Sequence, residues 1–260
     1  MAIDAADMPR ILREATVRPF SGALLTLGKQ DVTLTPAQLR AVARRMDVAL
    51  PRAEVLDVWA SDGPLDDATL LKALGFASVD SMDVSGYEGA TILHDLNAPS
   101  IPPALENRFD VVFDRGTAEH VFNAPNTLAA VARMCAPGGR AMHLSPSTNH
   151  MDHGFVMFSP RLFADYYTAN GFVVERIEMA RQPWLGRHPT IHLSRYVPGC
   201  LDGWEPGALG EGGYQVLVVA RKTSGATHDR WPRFAEGAAC GVGLSPVLRF
   251  TVPGAGPGRR

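Results

Sequence analysis

The sequence predicts an α/β fold of the doubly wound kind, a mostly parallel sheet with helices on both faces. Three observations lead there. Short apolar runs alternate along the chain with segments of helical period, which is the pattern of strand–helix–strand crossovers. Two of those runs, Ala23–Leu27 and Phe109–Phe113, are almost continuously apolar, as strands covered on both faces are. Of the 25 glycines and 20 prolines, about half fall in residues 181–260, so regular chain is expected up to about residue 180 and irregular chain after it.

Taken in order, residues 4–15 read as a short amphipathic helix through Ala5, Met8, Ile11 and Leu12, ending before Pro19. Ala23–Leu27 is a buried strand stopped by Gly28. Thr35-Pro36-Ala37-Gln38 starts a helix: Thr35 caps, Pro36 suits the first turn and Gln38 completes a capping box. Leu39, Val42, Ala43 and Met46 then give that helix one buried face. Residues 54–60 are an apolar run that suits strand or helix, and Asp62-Gly63-Pro64 opens a helix through Leu70, Leu71 and Leu74 that Gly75 closes.

Beyond Phe76 the rhythm changes to strands separated by turns. Ala77–Met82 ends at Asp83, Thr91–Leu93 runs into His94-Asp95-Leu96-Asn97, and Phe109–Phe113 closes with Asp114. Helical pattern begins at Thr117, is interrupted at Pro125 and resumes through Leu128, Val131 and Met134. Pro137-Gly138-Gly139 reads as a sharp turn before a strand at Arg140–Ser145. Ser159-Pro160 opens a helix through Leu162, Phe163 and Tyr166 that stops at Asn170-Gly171, and strands follow at Phe172–Ile177 and Tyr214–Ala220. Between those two lies an insertion, residues 180–213, too long for an ordinary connection. The expected organisation is one domain over residues 1–222 and a Gly/Pro-rich tail over 223–260.

Composition narrows the function classes. Lys plus Arg is 25 and Asp plus Glu is 27, a net charge of −2, which offers no footprint for nucleic acid or for an anionic membrane surface. Cys135, Cys200 and Cys240 form no CxxC pair and suggest no disulfide framework. Nothing in Met1–Arg18 resembles a signal peptide, and no apolar stretch reaches the length of a membrane span. A cytoplasmic setting is expected, with a small-molecule partner, no nucleic acid and no membrane; a homo-oligomer is left open.

In a doubly wound sheet ligands sit beyond the C-terminal strand ends. The polar residues there are Gly28 to Asp31, Asp83, Asp95 with Asn97, Asp114 with Glu119 and His120, and the loop at 145–153. An acid after the second strand is the group that binds ribose hydroxyls in nucleotide-binding sheets. Strand-end acids also serve as turn formers and helix caps, and both readings stand for Asp83 and Asp95.

Three segments together resemble the class I S-adenosylmethionine-dependent methyltransferases. They are Val79–Asp83, Phe109–Asp114 followed by Thr117-Ala118-Glu119-His120-Val121, and Met134-Cys135-Ala136-Pro137-Gly138-Gly139-Arg140. The resemblance covers about residues 20–180 and the strand at 214–220. It implies a Rossmann-like, seven-stranded sheet that holds S-adenosylmethionine over its C-terminal edge, with an irregular insertion before the last strand. Residue by residue, it implies that Gly28 and Gln30 lie against the donor, that Asp83 binds its ribose, that Asp95 meets the adenine amine while Leu96 packs on the ring, and that Asp114 lies near the methionine portion. Where the family has a GxGxG loop, this chain reads Leu27-Gly28-Lys29-Gln30-Asp31, so it looks like a divergent subgroup.

Methyl transfer from a sulfonium is an in-line displacement, and a base helps when the acceptor is a hydroxyl. His153, in the loop after the fifth strand of the family pattern, and His120 are the candidate catalytic residues; the competing reading is that each pins its loop. His150-x-x-His153 with Asp152 offers too few and too loosely spaced ligands, and no metal is expected. Trp184, His188, His192, Arg195, Tyr196 and Trp204 in the insertion suit either an acceptor pocket or a self-packed loop. The expected function is methylation of a hydroxyl or amine on a small molecule. The alternative is a catalytically silent methyltransferase-like binding or scaffold protein, motivated by the single glycine.

Overall fold

A computed structural model describes residues 2–183, 190–205, 207–233 and 245–251. The chain runs β1 (Ala2–Ile3), α1 (Met8–Val17), β2 (Ala23–Leu27), β3 (Asp31–Val32), α2 (Pro36–Arg45), α3 (Asp67–Ala73), β4 (Ser78–Asp83), β5 (Ile92–Leu93) and β6 (Phe109–Asp114). It continues through α4 (Ala124–Met134), β7 (Cys135–Pro146), α5 (Pro160–Ala169), β8 (Phe172–Gln182), β9 (Thr190–Arg195), β10 (Gly213–Lys222) and β11 (Ser245–Thr251). One sheet has the order β11-β9-β8-β10-β7-β6-β2-β4-β5, and β1 pairs separately with β3.

Side-chain alternation makes three layers of this sheet, because neighbours along a strand point to opposite faces. Leu24, Val111, Phe113, Leu144, Leu217 and Val219 pack on the face covered by α1, α2 and α3. Their neighbours Leu25, Val112, Val216, Val218 and Ala220 pack on the face covered by α4 and α5. Buried ions tie α1 down: Arg140 Nη1 donates to Glu14 Oε1 at 2.7 Å and Arg115 Nε to Asp7 Oδ2 at 2.9 Å.

The helix caps follow local chemistry. Thr35 Oγ1 accepts from the Gln38 amide at 3.3 Å while Gln38 Oε1 accepts from the Thr35 amide at 2.9 Å, a complete capping box. Asp66, Asn123 and Ser159 cap α3, α4 and α5. Helix α3 therefore begins later than Asp62-Gly63-Pro64 suggests, and the helical pattern at Thr117 is a single tight turn, Ala118–His120, before α4. The far end of α4 is closed by a distant residue. Lys222 Nζ donates to the carbonyls of Ala132 at 2.7 Å and Cys135 at 2.9 Å and to Asn107 Oδ1 at 2.8 Å, satisfying carbonyls that a helix C-terminus leaves open.

Other sequence expectations change in the sheet. The sheet has nine strands and is mixed, not seven and mostly parallel: β10 is antiparallel to both β7 and β8, and β9 and β11 extend the β8 edge. The added strands arise where irregular chain is expected, because backbone groups left open on β8 pair with whatever segment crosses that edge. Trp184 and His188 of the insertion, Cys240 and much of the tail lie outside the described residues. Pro137-Gly138-Gly139 lies within β7, next to a register shift against β6 at Phe109/Val111. A Cβ on Gly139 would stand 2.8–3.0 Å from the carbonyls of Ala136, Asp110 and Phe109, so glycine there lets two backbones meet.

Candidate functional site

The chain leaves β2 for β4 and β5 on one side and returns through β6 and β7 on the other. The order reverses between β2 and β6, the place where open α/β sheets bind ligands. Hydrogen bonds join the loops around that point. Gly28 donates its amide to the Met82 carbonyl at 2.7 Å, and Thr117 Oγ1 donates to the Leu27 carbonyl at 2.6 Å. Gly28 has φ +70°, and a Cβ there would lie 2.7 Å from Thr117 Oγ1, so both backbone hand and space favour glycine. Gln30 is buried and donates to the Leu27 and Gly28 carbonyls at 2.9 and 3.3 Å.

The remaining sequence-predicted donor residues are divided between rim and core. Asp83 is half-buried at the end of β4; its Oδ1 accepts the Ser85 amide at 3.0 Å. Asp95 is exposed and its Oδ1 takes the amide of Asn97 at 2.8 Å and its Nδ2 at 3.0 Å, bonds that hold the carboxyl below its usual range. Leu96 is buried in the core between the sheet and α4. Asn97 links this loop to the next, accepting from the Asn123 amide at 3.0 Å and from Asn126 Nδ2 at 2.7 Å.

Asp114 is fully buried and every side of its carboxylate is engaged. Oδ1 accepts the amides of Thr117 and Ala118 at 3.0 and 3.1 Å; Oδ2 faces His143 Nδ1 at 2.9 Å and accepts Ser145 Oγ at 3.3 Å. His143 Nε2 meets the Tyr167 hydroxyl at 2.6 Å. The Asp114 carboxylate can only accept, so Nδ1 carries the hydrogen of that contact, and the Nε2 of a neutral imidazole then accepts from the Tyr167 hydroxyl. Burial pushes the Asp114 carboxyl up, but the His143 contact and the two amides outweigh it and hold it low. Its carboxylate faces His143 and Ser145 rather than the sheet edge, and it fixes the turn that follows.

That turn presents Glu119, with His120 and His153 beside it. Glu119 is fully buried, yet neither carboxylate oxygen has a hydrogen-bond partner among the described residues. Oε1 lies 3.5 Å from His153 Nε2 and 4.0 Å from His120 Nε2. Burial, then the charge of Asp114, pushes this carboxyl up to about 8. The two imidazoles are 5.2 Å apart between ring centres and each is about two-fifths exposed. The loop after β7 is locked on: the amides of Phe155 and Val156 donate to the Glu119 carbonyl at 2.8 and 3.2 Å, and a Cβ on Gly154 would stand 2.7 Å from it.

Exposed apolar side chains gather at the same edge. Tyr87, Phe122, Met151 and Phe155 are all exposed, and Phe122 stands edge-on to Phe155 at 5.6 Å. Asn149 Nδ2 donates to the Gly212 carbonyl at 2.8 Å, bringing the insertion against the loop after β7. There a hollow of about 260 Å³ is lined by Arg181, His192, Ser194, Trp204 and Tyr214 among others. Tyr196 is buried in the core and Arg195 is exposed on β9.

The structure therefore joins the loops carrying Gly28, Asp95, His120 and His153 and turns Asp114 and Leu96 inward. Glu119 is the residue that sequence reading gathers with the strand-end acids but gives no role. Its signal is its position in the run Thr117–Val121, directly before His120.

No protein-family profile and no curated protein matches the chain. Among solved structures it is similar to the YcgJ protein of Bacillus subtilis, at 11% identity and a TM-score of 0.45, over 85% of this chain and 99% of that one. It is similar to geranyl diphosphate C-methyltransferase of Streptomyces coelicolor, solved with Mg2+, geranyl diphosphate and S-adenosyl-L-homocysteine, at 10% identity and a TM-score of 0.43, over 84% and 77% of the two chains. The same holds for phosphoethanolamine N-methyltransferase 2 of Haemonchus contortus, solved with S-adenosyl-L-methionine, at 11% identity and a TM-score of 0.43, over 84% and 53%.

Proposed function

We propose that this protein is an S-adenosylmethionine-dependent methyltransferase acting on a hydroxyl or amine of a small molecule. The observation that carries the reading is the strand order. It reverses between β2 and β6, with Gly28, Asp83 and the Asp95 loop on one side and the Glu119–His120–His153 group on the other. The motifs at Val79–Asp83, Phe109–Val121 and Met134–Arg140 add the family resemblance to that geometry.

The residues fit the donor at its anchor. Asp83 uses Oδ1 on the Ser85 amide, and its Oδ2 has no hydrogen bond among the described residues, which leaves an acceptor for a ribose hydroxyl. Asp95 is the group for the adenine amine, with Leu96 behind the ring. Gly28 and Gln30 shape the backbone against the rest of the donor. Asp114 holds the Thr117–His120 turn and so serves the methionine end through that turn. S-adenosylmethionine supplies an electrophilic methyl group. His153, exposed beside Glu119, takes the proton that a hydroxyl or amine acceptor must lose, and His120 lines the same mouth. The exposed Phe122 and Phe155 and the Trp204 hollow receive the body of the acceptor.

A second reading, a catalytically silent methyltransferase-like protein, draws on Gly28 and Gln30, which are packed against Thr117 and their own loop. Calorimetry with S-adenosylhomocysteine separates the two. Binding that weakens at least about tenfold in Asp83→Ala, the loss of a paired ligand hydroxyl, supports the enzyme and its ribose contact. No binding at millimolar ligand overturns the donor reading, and unchanged affinity in Asp83→Ala overturns the ribose contact.

A further inference from the structure

We propose that Glu119, His120 and His153 bind a divalent transition-metal cation. The first ground is an unsatisfied buried carboxyl. Every other buried acid among the described residues has its partner: Asp7 and Glu14 pair with arginines, Asp67 with Lys29, Glu178 with Arg13, and Asp114 with His143 and two amides. Glu119 is as buried as these, yet among the described residues it has no salt bridge to an arginine or lysine and neither oxygen has a hydrogen-bond partner. A buried carboxyl with neither oxygen hydrogen-bonded is costly in either protonation state, and a bound cation would satisfy it.

The second ground is geometry. One donor atom from each of the three residues falls within 4.8 Å of the others. Two ligands held about 2.1 Å from one ion stand at most about 4.2 Å apart. Glu119 Oε1 already meets that limit with His153 Nε2 at 3.5 Å and His120 Nε2 at 4.0 Å. The exposed imidazoles can close the rest by rotation, while the backbone beneath them is held. The Phe155 and Val156 amides bind the Glu119 carbonyl, and the His120 amide donates to the Thr117 carbonyl at 3.0 Å.

The third ground is donor chemistry. Two imidazoles and one carboxylate suit zinc, iron, cobalt or manganese rather than calcium or magnesium, which take oxygen ligands. Three protein ligands on a partly exposed face leave coordination positions open to a small molecule. Sequence spacing hides the set, because His150-x-x-His153 lacks the carboxylate that arrives from the turn after β6. The proposal needs neither donor nor acceptor to be bound, so its test is separate from that of the methyltransferase reading; with a cation bound, His153 serves as a ligand and not as the proton acceptor.

The test is cobalt titration of the full chain after chelation and dialysis, read by visible absorption and by calorimetry, with zinc competition. One equivalent of Co2+ displaced by Zn2+ is expected. Affinity should fall at least about tenfold in Glu119→Gln and in His153→Ala, the loss typical of disturbing a metal site, and stay unchanged in His192→Ala, a histidine on β9. His153→Ala alters an exposed side chain, so it reads the site even if Glu119→Gln fails to fold. Absence of stoichiometric binding overturns the proposal, as does binding that His153→Ala leaves intact or that His192→Ala weakens equally.

Discussion

Tyr167→Phe tests the buried relay that positions the candidate site. The substitution keeps the ring, which packs 5.0 Å from Phe172 and 5.7 Å from His143 between centres, and removes only the hydroxyl 2.6 Å from His143 Nε2. Nothing replaces that donor, since both residues are fully buried. The cost is therefore that of a stranded buried acceptor, about 1–3 kcal/mol, rather than the smaller net worth of an exchanged hydrogen bond. For a chain of this size about 2–4 °C is lost per kcal/mol, so the melting temperature should fall by about 2–12 °C. Calorimetric or urea unfolding measures this directly. A double-mutant cycle isolates the pair: in a His143→Leu background there is no imidazole to strand, and Tyr167→Phe should cost at least about 0.5 kcal/mol less. A melting temperature within about 1 °C of the parent, or the same cost in both backgrounds, would refute the donation from Tyr167 to His143.

Two further outcomes follow from buried polar groups. Lys222→Met removes the ammonium that closes α4 on the Ala132 and Cys135 carbonyls. It should cost on the order of 3 kcal/mol and speed amide exchange in the last turn of α4 before other helices; uniform exchange across the chain would contradict the cap. Asp114 gives an acid dependence. Its folded carboxyl is held below the usual 3.8, so as pH falls the unfolded chain takes up the proton first, and the stabilisation present above about pH 4 is lost as pH drops through the lower folded value. Asp114→Asn should be less stable than the parent at neutral pH and lose less between about pH 4 and pH 2; parallel acid-unfolding curves would rule this out.

What can be read from the chain depends on the range of the interaction. The Thr35–Gln38 capping box is legible because both partners lie within one turn, and the apolar strands are legible because alternation is a local consequence of the pleat. The same reading stops at Asp114. A strand-end acid next to a possible ligand and one turned into the core have the same local sequence. Here β7 is in register with β6 so that Asp114 faces His143, and Ser145 and Tyr167 complete the inward set.

Glu119 and His153 make the converse case. Each is an ordinary polar residue in its own segment, and only the bond from the 155–156 amides to the Glu119 carbonyl brings the two loops together. Strands β9 and β11 are likewise unpredictable from Gly- and Pro-rich chain, since their pairing depends on an open edge elsewhere in the sheet. The sequence by itself determined the alternating α/β frame, the caps and the loops that could carry chemistry. Tertiary structure decided which acids face inward, which one stands beside histidines, and how far the sheet extends, because charge compensation and strand pairing are settled between residues distant in the chain.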